Sequence, residues 1–292
     1  MSRMLWVHLA LLFVTLLYGA NYTIAKYALP EYLKPLAFIS VRLLSGTILF
    51  WAIDSLQPRE AISRKDHWLL FRCGLFGAAL NQLLFFEGLS RTTPIHGSIM
   101  MTMSPIAVIL IASLLGREFL TRRKVIGTIV GFTGAVLLLT RHGISLDEGT
   151  FTGDLLILLN GTSYAIYLIL VKPLTHRYRP FTVLKWLFLY GTLIAVPFGI
   201  PQLAEVSWST LPLSAWLSVA YVVFATTFTV YLLNAWALQY VNSSIVGIYI
   251  YLQPVFATIV ALSLGQDHLE IQTVLFASII MMGVYLVSKQ KR

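Results

Sequence analysis

Long apolar stretches, separated by short polar segments, recur along the whole chain of 292 residues. Each stretch is close to the roughly 20 residues that a helix needs to cross a bilayer. The pattern predicts an all-α integral membrane protein with ten spanning helices, at residues 5–25, 34–54, 67–88, 95–115, 122–140, 152–172, 182–203, 213–235, 242–263 and 270–288. The first stretch resembles a signal peptide, but because apolar stretches continue to residue 288, we interpret it as an uncleaved first helix.

The pattern also repeats itself, because residues 94–139 are echoed without a gap 149 positions later, at 243–288. The matched pairs are Pro105 with Pro254, Gly116 with Gly265, Glu118 with Asp267, Leu120 with Leu269, and Gly134 with Gly283. Such an echo indicates an internal repeat, so we predict two five-helix halves, residues 1–145 and 146–292. Because five is an odd number, the second half would be inverted in the membrane. Inverted halves place a binding site near the midplane of the bilayer and allow access from alternate sides.

Composition supports a membrane protein, since 58% of the residues are hydrophobic and only 11% are charged, whereas soluble domains carry about 25% charged residues. The net charge of +9 does not indicate a nucleic-acid partner, because the positive residues lie at the ends of the apolar stretches. With the N-terminus inside, the inner connecting segments and termini carry 14 lysines and arginines and the outer segments carry 4. This asymmetry predicts that both termini are cytoplasmic.

Polar and aromatic side chains inside the spans are the candidates for chemistry, because lipid offers no hydrogen bonds and such residues tend to face a cavity. Three spans carry them at i, i+4 and i+7, on one helical face: Asn81, Phe85 and Gly88; Asn160, Tyr164 and Tyr167; Thr227, Tyr231 and Asn234. The predicted substrate-binding residues are Asn21, Asn81, Phe85, Met100, Asn160, Tyr164, Tyr231, Asn234, Tyr249 and Gln253. Aromatic rings can stack on a flat ligand, and amides suit a zwitterion. The alternative is that the amides bond across helices as packing contacts.

Charged residues within spans are few, and two of them have two interpretations each. Arg42 lies deep in the second span, where it either binds a ligand carboxylate or ties carbonyls or a carboxylate such as Glu87 within the bundle. Glu87 is the candidate for proton coupling, although it lies near the outer mouth and could simply be hydrated. Lys26 and Lys172 are expected to extend to the membrane surface. His96, which could titrate near neutral pH, is interpreted as a capping or loop residue.

Packing explains several other motifs. Tyr18 and Tyr22 are interpreted as interface or packing residues. Gly127 and Gly131 form a GxxxG motif, which predicts a close helix contact either within the first half or in a homodimer. Glu118 and Asp267 are interpreted as capping carboxylates in the turns between paired helices.

Several of these motifs, taken in order, resemble the EamA-type family of the drug/metabolite transporter superfamily. They are Tyr18-Gly19-Ala20-Asn21-Tyr22, Arg42, Gly88-Leu89, Ser104-Pro105, Gly116-Arg117-Glu118, Tyr164-Ala165, Gln253-Pro254 and Gly283. The resemblance implies ten helices around a central cavity lined by spans 1, 3, 4, 6, 8 and 9. It also implies transport of small amphipathic metabolites, often the export of amino acids. Asp267, where the family usually has Glu, and the additional Glu87 depart from the pattern.

The leading hypothesis is therefore a secondary transporter with a small-molecule substrate and the lipid bilayer as partners, and with no cofactor. No GxxxxGK[ST] loop indicates ATP chemistry, and the single cysteine, Cys73, predicts neither a disulfide framework nor a metal site. A membrane transferase enzyme would need clustered acids, whereas the only adjacent acidic pair is Asp147-Glu148. A channel is a further alternative. Another alternative is the efflux of cationic drugs, which would favour a carboxylate in the middle of a span to meet the cation. The compact loops predict the inner membrane of a bacterium.

Overall fold

A computed structural model describes residues 3–29, 31–92, 100–116, 119, 121–140, 148–263 and 271–288 of the chain, and all regular secondary structure in these residues is helical. The predicted residue His96 and the acidic turns of Glu118 and Asp267 lie outside the described residues. The longer helical segments are α1 (Arg3–Lys26), α2 (Pro35–Ser55), α3 (Arg64–Arg91), α4 (Ser104–Leu114), α5 (Arg122–Thr140), α6 (Glu148–Thr175), α7 (Pro180–Ala204), α8 (Leu213–Ala237), α9 (Ser243–Ile248, continued by Tyr249–Leu252 and Gln253–Ser263) and α10 (Ile271–Ser288).

Six of these helices are long and apolar enough to cross a membrane, namely α1, α2, α3, α6, α7 and α8. Several extend beyond their predicted bounds by two to four residues, because polar residues such as Arg64 and Arg91 continue the helix past its apolar part. The helix bundle exposes many large apolar side chains to its surroundings, including Ile48, Phe151 and Phe198 at 66–69% exposure. Lipid chains would cover such a surface, as a multi-pass membrane protein requires.

Two helices contain π-helical turns near their middle. In α3 the π segment is Leu75–Ala79, and in α8 it is Val222–Thr229. Such turns interrupt the usual backbone hydrogen-bond ladder and free carbonyl groups. In α3 the carbonyl oxygen of Phe76 accepts a hydrogen bond from Ser163 Oγ at 2.7 Å, and side chains therefore fill the gap. Within α9, a 3₁₀ turn at Tyr249–Leu252 likewise separates two α-helical parts.

The helices pack in recurring pairs. Helix α2 lies along α7, and α5 lies along α10. Helix α6 packs against α3 and α4, while α1 packs against α8 and α9. Adding five to each helix number, and counting on from α10 to α1, converts the pairings of α6 into those of α1 and the reverse. The same operation leaves the pairs α2–α7 and α5–α10 unchanged. The described helices therefore pair in a pattern that repeats with a period of five helices.

Glycines bring α5 and α10 into close contact. A Cβ atom built on Gly283 would lie 2.5 Å from the backbone nitrogen of Gly131 and 2.7 Å from the carbonyl oxygen of Gly127. These are the two glycines of the GxxxG motif. The prediction of a contact within the first half was wrong, because the motif packs against a helix of the second half. This contact covers the glycine face within a single chain.

Polar contacts join the helices at one end of the bundle, which the charge count predicts to be cytoplasmic. Lys172 Nζ, near the end of α6, donates to Val241 O at 2.6 Å and to Asn242 Oδ1 at 2.9 Å. It therefore bonds to the segment before α9 instead of only extending to the membrane surface. Side-chain to main-chain bonds at the same end run from Gln239 to Thr175 (2.9 Å) and from Ser243 to Leu168 (2.8 Å).

A second group of contacts at this end joins α3 to the segment between α6 and α7. Arg177 forms an ion pair with Asp66 at 2.7 Å, and the Tyr178 hydroxyl donates to the other oxygen of that carboxylate at 2.8 Å. The backbone N–H of Arg179 donates to Glu60 at 3.1 Å. Hydrogen bonds and ion pairs thus join helices at two places at the predicted cytoplasmic end.

Candidate functional site

A cavity lies within the helix bundle, and both the N-terminal and the C-terminal part of the chain contribute side chains to it. The empty space, counted with its opening to solvent, is about 490 Å³. Its lining consists of Tyr18, Asn21, Tyr22, Arg42, Asn81, Gln82, Phe85, Met101, Asn160, Tyr164 and Gln253. These residues belong to α1, α2, α3, α6 and α9, with Met101 just before α4. The walls are therefore aromatic and amide groups with one charged residue.

Arg42 enters the cavity from α2 and is only 5% exposed. Its Nε donates to Thr227 Oγ1 at 2.5 Å, and its Nη2 donates to the carbonyl oxygen of Thr226 at 3.1 Å. The guanidinium also lies over the ring of Phe86, 5.4 Å from its centroid. The predicted tie to carbonyl groups therefore exists, whereas the predicted partner Glu87 bonds elsewhere.

The amides around the cavity differ in how many hydrogen bonds they make. Tyr22 donates to Gln253 Oε1 at 3.1 Å, and Asn160 Nδ2 donates to the Asn81 carbonyl oxygen at 2.6 Å. Within the described part of the chain, both polar atoms of the Gln82 amide and the Oδ1 atom of Asn160 have no hydrogen-bond partner. Buried amides in this condition are free to bond a ligand or water.

Aromatic rings form the rest of the wall. Tyr22 meets Phe85 edge to face, with ring centroids 5.7 Å apart. On the opposite side, Tyr164 stands 5.9 Å from Tyr167, which is fully buried behind it. Such rings can contact the flat or apolar part of a ligand while the amides contact its polar part.

Six of the ten predicted substrate-binding residues line this cavity: Asn21, Asn81, Phe85, Asn160, Tyr164 and Gln253. The structure brings them together, and their binding of substrate stays a prediction. The other four do not line it. Tyr231 donates to the Gly77 carbonyl oxygen at 2.6 Å, Asn234 donates to the Tyr164 hydroxyl at 3.3 Å, and Tyr249 bonds to His8 at 2.6 Å. Met100 packs against the core, and its neighbour Met101 takes the place at the cavity.

Sequence reasoning assigned other roles to several cavity residues. The sequence predicts that Tyr18 and Tyr22 are interface or packing residues, but both line the cavity. Gln82 was overlooked because it lies one residue, or about 100° of helix, from the Asn81 stripe. The sequence does place a second amide, Gln82, directly beside Asn81, and this pair of amides could have indicated Gln82 as a cavity residue.

Glu87 lies apart from the cavity lining. Its carboxylate pairs with Arg91, four residues later on α3, at 2.9 Å, and the two side chains are 24% and 53% exposed. An exposed pair at this spacing contributes about 0.5 kcal/mol or less to stability. The role of Glu87 in proton coupling stays a prediction. The side chain of Lys26 lies outside the described residues.

Known proteins similar to this chain are transporters. A model of the EamA-like transporter family matches residues 5–140 and 151–289. The uncharacterized transporter YyaM of Bacillus subtilis (strain 168) is 23% identical, over 97% of this chain and 93% of that protein. An uncharacterized transporter of Archaeoglobus fulgidus is 25% identical over 98% and 99%, and the WAT1-related protein At3g53210 of Arabidopsis thaliana is 24% identical over 96% and 85%. A solved crystal structure shares the fold, with a TM-score of 0.76 over 97% of this chain and 98% of that one, at 17% identity.

Proposed function

Because the chain belongs to the EamA-like transporter family, we propose that it is a secondary transporter that exports small amphipathic metabolites, such as amino acids, across the inner membrane of a bacterium. The observation that carries the proposal is the cavity between the halves, with amide and aromatic walls inside an apolar bundle. Aromatic rings would hold the apolar part of a metabolite, and amides would hold its polar part.

Alternating access requires two halves that can rock against each other around one site. The helix pairings, which an offset of five helices maps onto one another, support two such repeats. The π segments give a second, independent support. Shifting residues 75–79 of α3 by the repeat offset of 149 places them at 224–228, inside the π segment Val222–Thr229 of α8. The family model likewise matches in two segments, 5–140 and 151–289.

The cavity lies closer to one end of the bundle. Tyr22 lies four residues before the end of α1, and Arg42 lies seven residues after the start of α2. Both places are near the end that the charge count predicts to be outside. Polar contacts join helices at this end as well, since Lys34 pairs with Glu205 at 2.6 Å and Thr92 donates to Asp154 at 2.5 Å. We infer that the cavity lies nearer the outer side of the membrane, with both termini in the cytoplasm.

The proposal is tested by uptake of radiolabelled amino acids into liposomes that contain the purified protein, with and without a pH gradient. We expect saturable uptake, and we expect the substitutions Asn81→Ala, Tyr164→Ala and Gln253→Ala to lower it by about fivefold or more each, since each removes a contact worth about 1 kcal/mol. Ser278→Ala is the matched control, because Ser278 is exposed on α10 and bonds only to Val274 of its own helix. Its uptake should equal that of the wild type.

The variant Glu87→Gln is measured in the same experiment and tests whether Glu87 couples transport to the pH gradient. If Glu87 carries the coupled proton, uptake by this variant should no longer respond to the pH gradient. The loss of a surface pair changes stability by only about 0.5 kcal/mol, so unfolding would not explain the result. A persistent gradient response would place the coupling elsewhere. Absence of uptake for every amino acid would refute amino-acid transport, and uptake that none of the three cavity substitutions alters would refute the assigned cavity.

A further inference from the structure

Arg42 is a buried cation that has no anionic partner among the described residues. Within the described residues it forms no ion pair, and its two hydrogen bonds go to Thr227 and to the Thr226 carbonyl oxygen. A guanidinium has five N–H donors, so three of them remain after these two bonds. The bonds to α8 and the contact with Phe86 fix the plane of the group in place. Arg42 is therefore a preorganised donor at the wall of the cavity.

The cavity lining is electrically unbalanced. Of the eleven described residues that line it, Arg42 alone is charged, and none of the eleven is an Asp or Glu. A buried positive charge is costly unless it is paired. The structure satisfies this charge only partly, with one hydroxyl and one carbonyl oxygen. An anionic group of a ligand would complete the pairing, whereas a cationic ligand would meet an uncompensated like charge.

Carboxylates match the geometry of this donor particularly well. The planar fork of a guanidinium can donate two parallel hydrogen bonds to one carboxylate, and such bonds are about twice as strong as neutral ones. The unbonded Gln82 amide also lines the cavity, is 1% exposed, and offers a further donor and acceptor. The aromatic rings of Tyr22 and Phe85 supply an apolar surface for the remainder of the ligand.

We propose that Arg42 binds the carboxylate of the transported substrate, so that the cavity selects small organic acids and zwitterions over amines and neutral amides. This inference rests on the proposed transport function and adds to it the chemical group that is recognised. It also distinguishes metabolite export from the efflux of cationic drugs, for which a cavity with a lone arginine is unsuited.

The test compares ligand pairs in which a primary amide replaces the carboxylate. The purified wild-type protein in detergent micelles at pH 7.5 is titrated with 3-phenylpropanoate and 3-phenylpropanamide, and separately with L-phenylalanine and L-phenylalaninamide. The readout is the shift in thermal unfolding temperature. We expect at least one acid to stabilise the protein, with a half-maximal concentration at least about tenfold below that of its amide. Equal effects of acid and amide in both pairs, or no effect of either acid, would overturn the assignment.

Variants link the preference to Arg42. Arg42→Gln should abolish the preference for the acid, and Arg42→Lys should keep only part of it, since an ammonium lacks the planar fork. The matched control is Arg72→Gln, which removes an exposed arginine that stacks on Trp68 outside the cavity. It should keep the full preference. If Arg42→Gln loses the bonds to α8 and fails to fold, the comparison of ligand pairs on the wild type still decides the question.

Failure of this inference and failure of the proposed function are distinguishable. Acid-selective binding without uptake in liposomes would leave the Arg42 site standing and remove the transport assignment. Uptake with equal recognition of acids and amides would leave the transporter standing and remove the Arg42 site.

Discussion

Gln82 is a buried cavity residue whose amide makes no close hydrogen bond to the described residues. It is 1% exposed, and neither its amide nitrogen nor its amide oxygen has a partner among the described residues. A buried polar group left in this way costs roughly 1–3 kcal/mol of stability. Binding sites commonly carry such a cost in exchange for function. We therefore expect Gln82 to contribute to ligand binding at the expense of folding stability.

If this expectation is correct, a substitution of Gln82 should raise the stability of the protein and lower its uptake activity. Gln82→Met replaces the amide with an apolar group of similar size, so it should raise the stability by about 1 kcal/mol while lowering uptake by about fivefold. Thr128→Val is the control, because the Thr128 hydroxyl is also buried without a partner but lies on α5, outside the cavity lining. It should stabilise the protein without changing uptake. Thermal unfolding and liposome uptake of the two variants give both readouts, and a Gln82 variant with normal uptake would contradict the expectation.

At the same scale, the sequence allowed some cavity residues to be predicted and not others. The i, i+4 spacing placed Asn81 with Phe85 and Asn160 with Tyr164, and each pair lines the cavity. Spacing within one helix carries no information on which neighbouring helix reaches into the space. Arg42 belongs to no polar stripe of its own span, and only the packing of α2 against the bundle reveals that it reaches the cavity.

At the scale of the element, π turns explain why the predicted stripe of α8 does not converge on the cavity. The stripe starts at Thr227, inside the π segment, and continues with Tyr231 and Asn234 in the α-helix after it. A π turn changes the angular relation between residues on its two sides. Thr227 consequently accepts from Arg42, whereas Tyr231 and Asn234 bond to α3 and α6. A regular helical period could not predict this break.

The close contact between α5 and α10 predicts how a larger side chain at their interface would change the stability of the protein. Gly283→Leu should destabilise the protein by about 2–4 kcal/mol, because the new side chain would meet the backbone of Gly127 and Gly131 and separate the helices. Ser278→Leu, an exposed position of the same helix, should change stability by less than about 0.5 kcal/mol. Unfolding by sodium dodecyl sulfate in mixed micelles measures both. Equal stability of the two variants would show that the close contact does not matter for the fold.

At the scale of the whole molecule, the contacts at the predicted cytoplasmic end oppose the opening of that end. Lys172 contributes two hydrogen bonds there, to Val241 and Asn242. We expect Lys172→Met to favour the inward-facing state by about 1–3 kcal/mol, the range for hydrogen bonds to a charged group. Such a change corresponds to roughly a 5-fold to 150-fold change in the ratio of the two populations.

A cysteine at position 243 would report this opening, since Ser243 is buried beside α6 and the native Cys73 is also buried. Labelling of Ser243→Cys by a maleimide from the predicted cytoplasmic side should be about tenfold faster in combination with Lys172→Met. Lys65→Met, which removes an exposed lysine at the same end, is the control and should not change the rate. Unchanged labelling with Lys172→Met would show that this contact is not part of the gate.

Much of this architecture could be predicted because the bilayer restricts it. Apolar stretches of fixed length gave the helices, and the echo of 94–139 at 243–288 gave the interpretation of two halves. The packing partners could not be predicted, because apolar faces carry little information on which helix they meet. The GxxxG motif is the example, since Gly127 and Gly131 indicated a close contact but not that its partner was Gly283 in the other half.

The unpaired charge of Arg42 also has an electrical consequence. A charge within the membrane responds to the transmembrane voltage, with an energy of about 2.3 kcal/mol for a full crossing at 100 mV. An empty cavity carries the net charge of Arg42, whereas a cavity that holds a monocarboxylate is neutral. The voltage would therefore act on the return of the empty carrier and leave the step that carries such a substrate almost unaffected. For a zwitterion the charge is the same in both steps, so the voltage dependence of turnover would itself report the charge of the substrate.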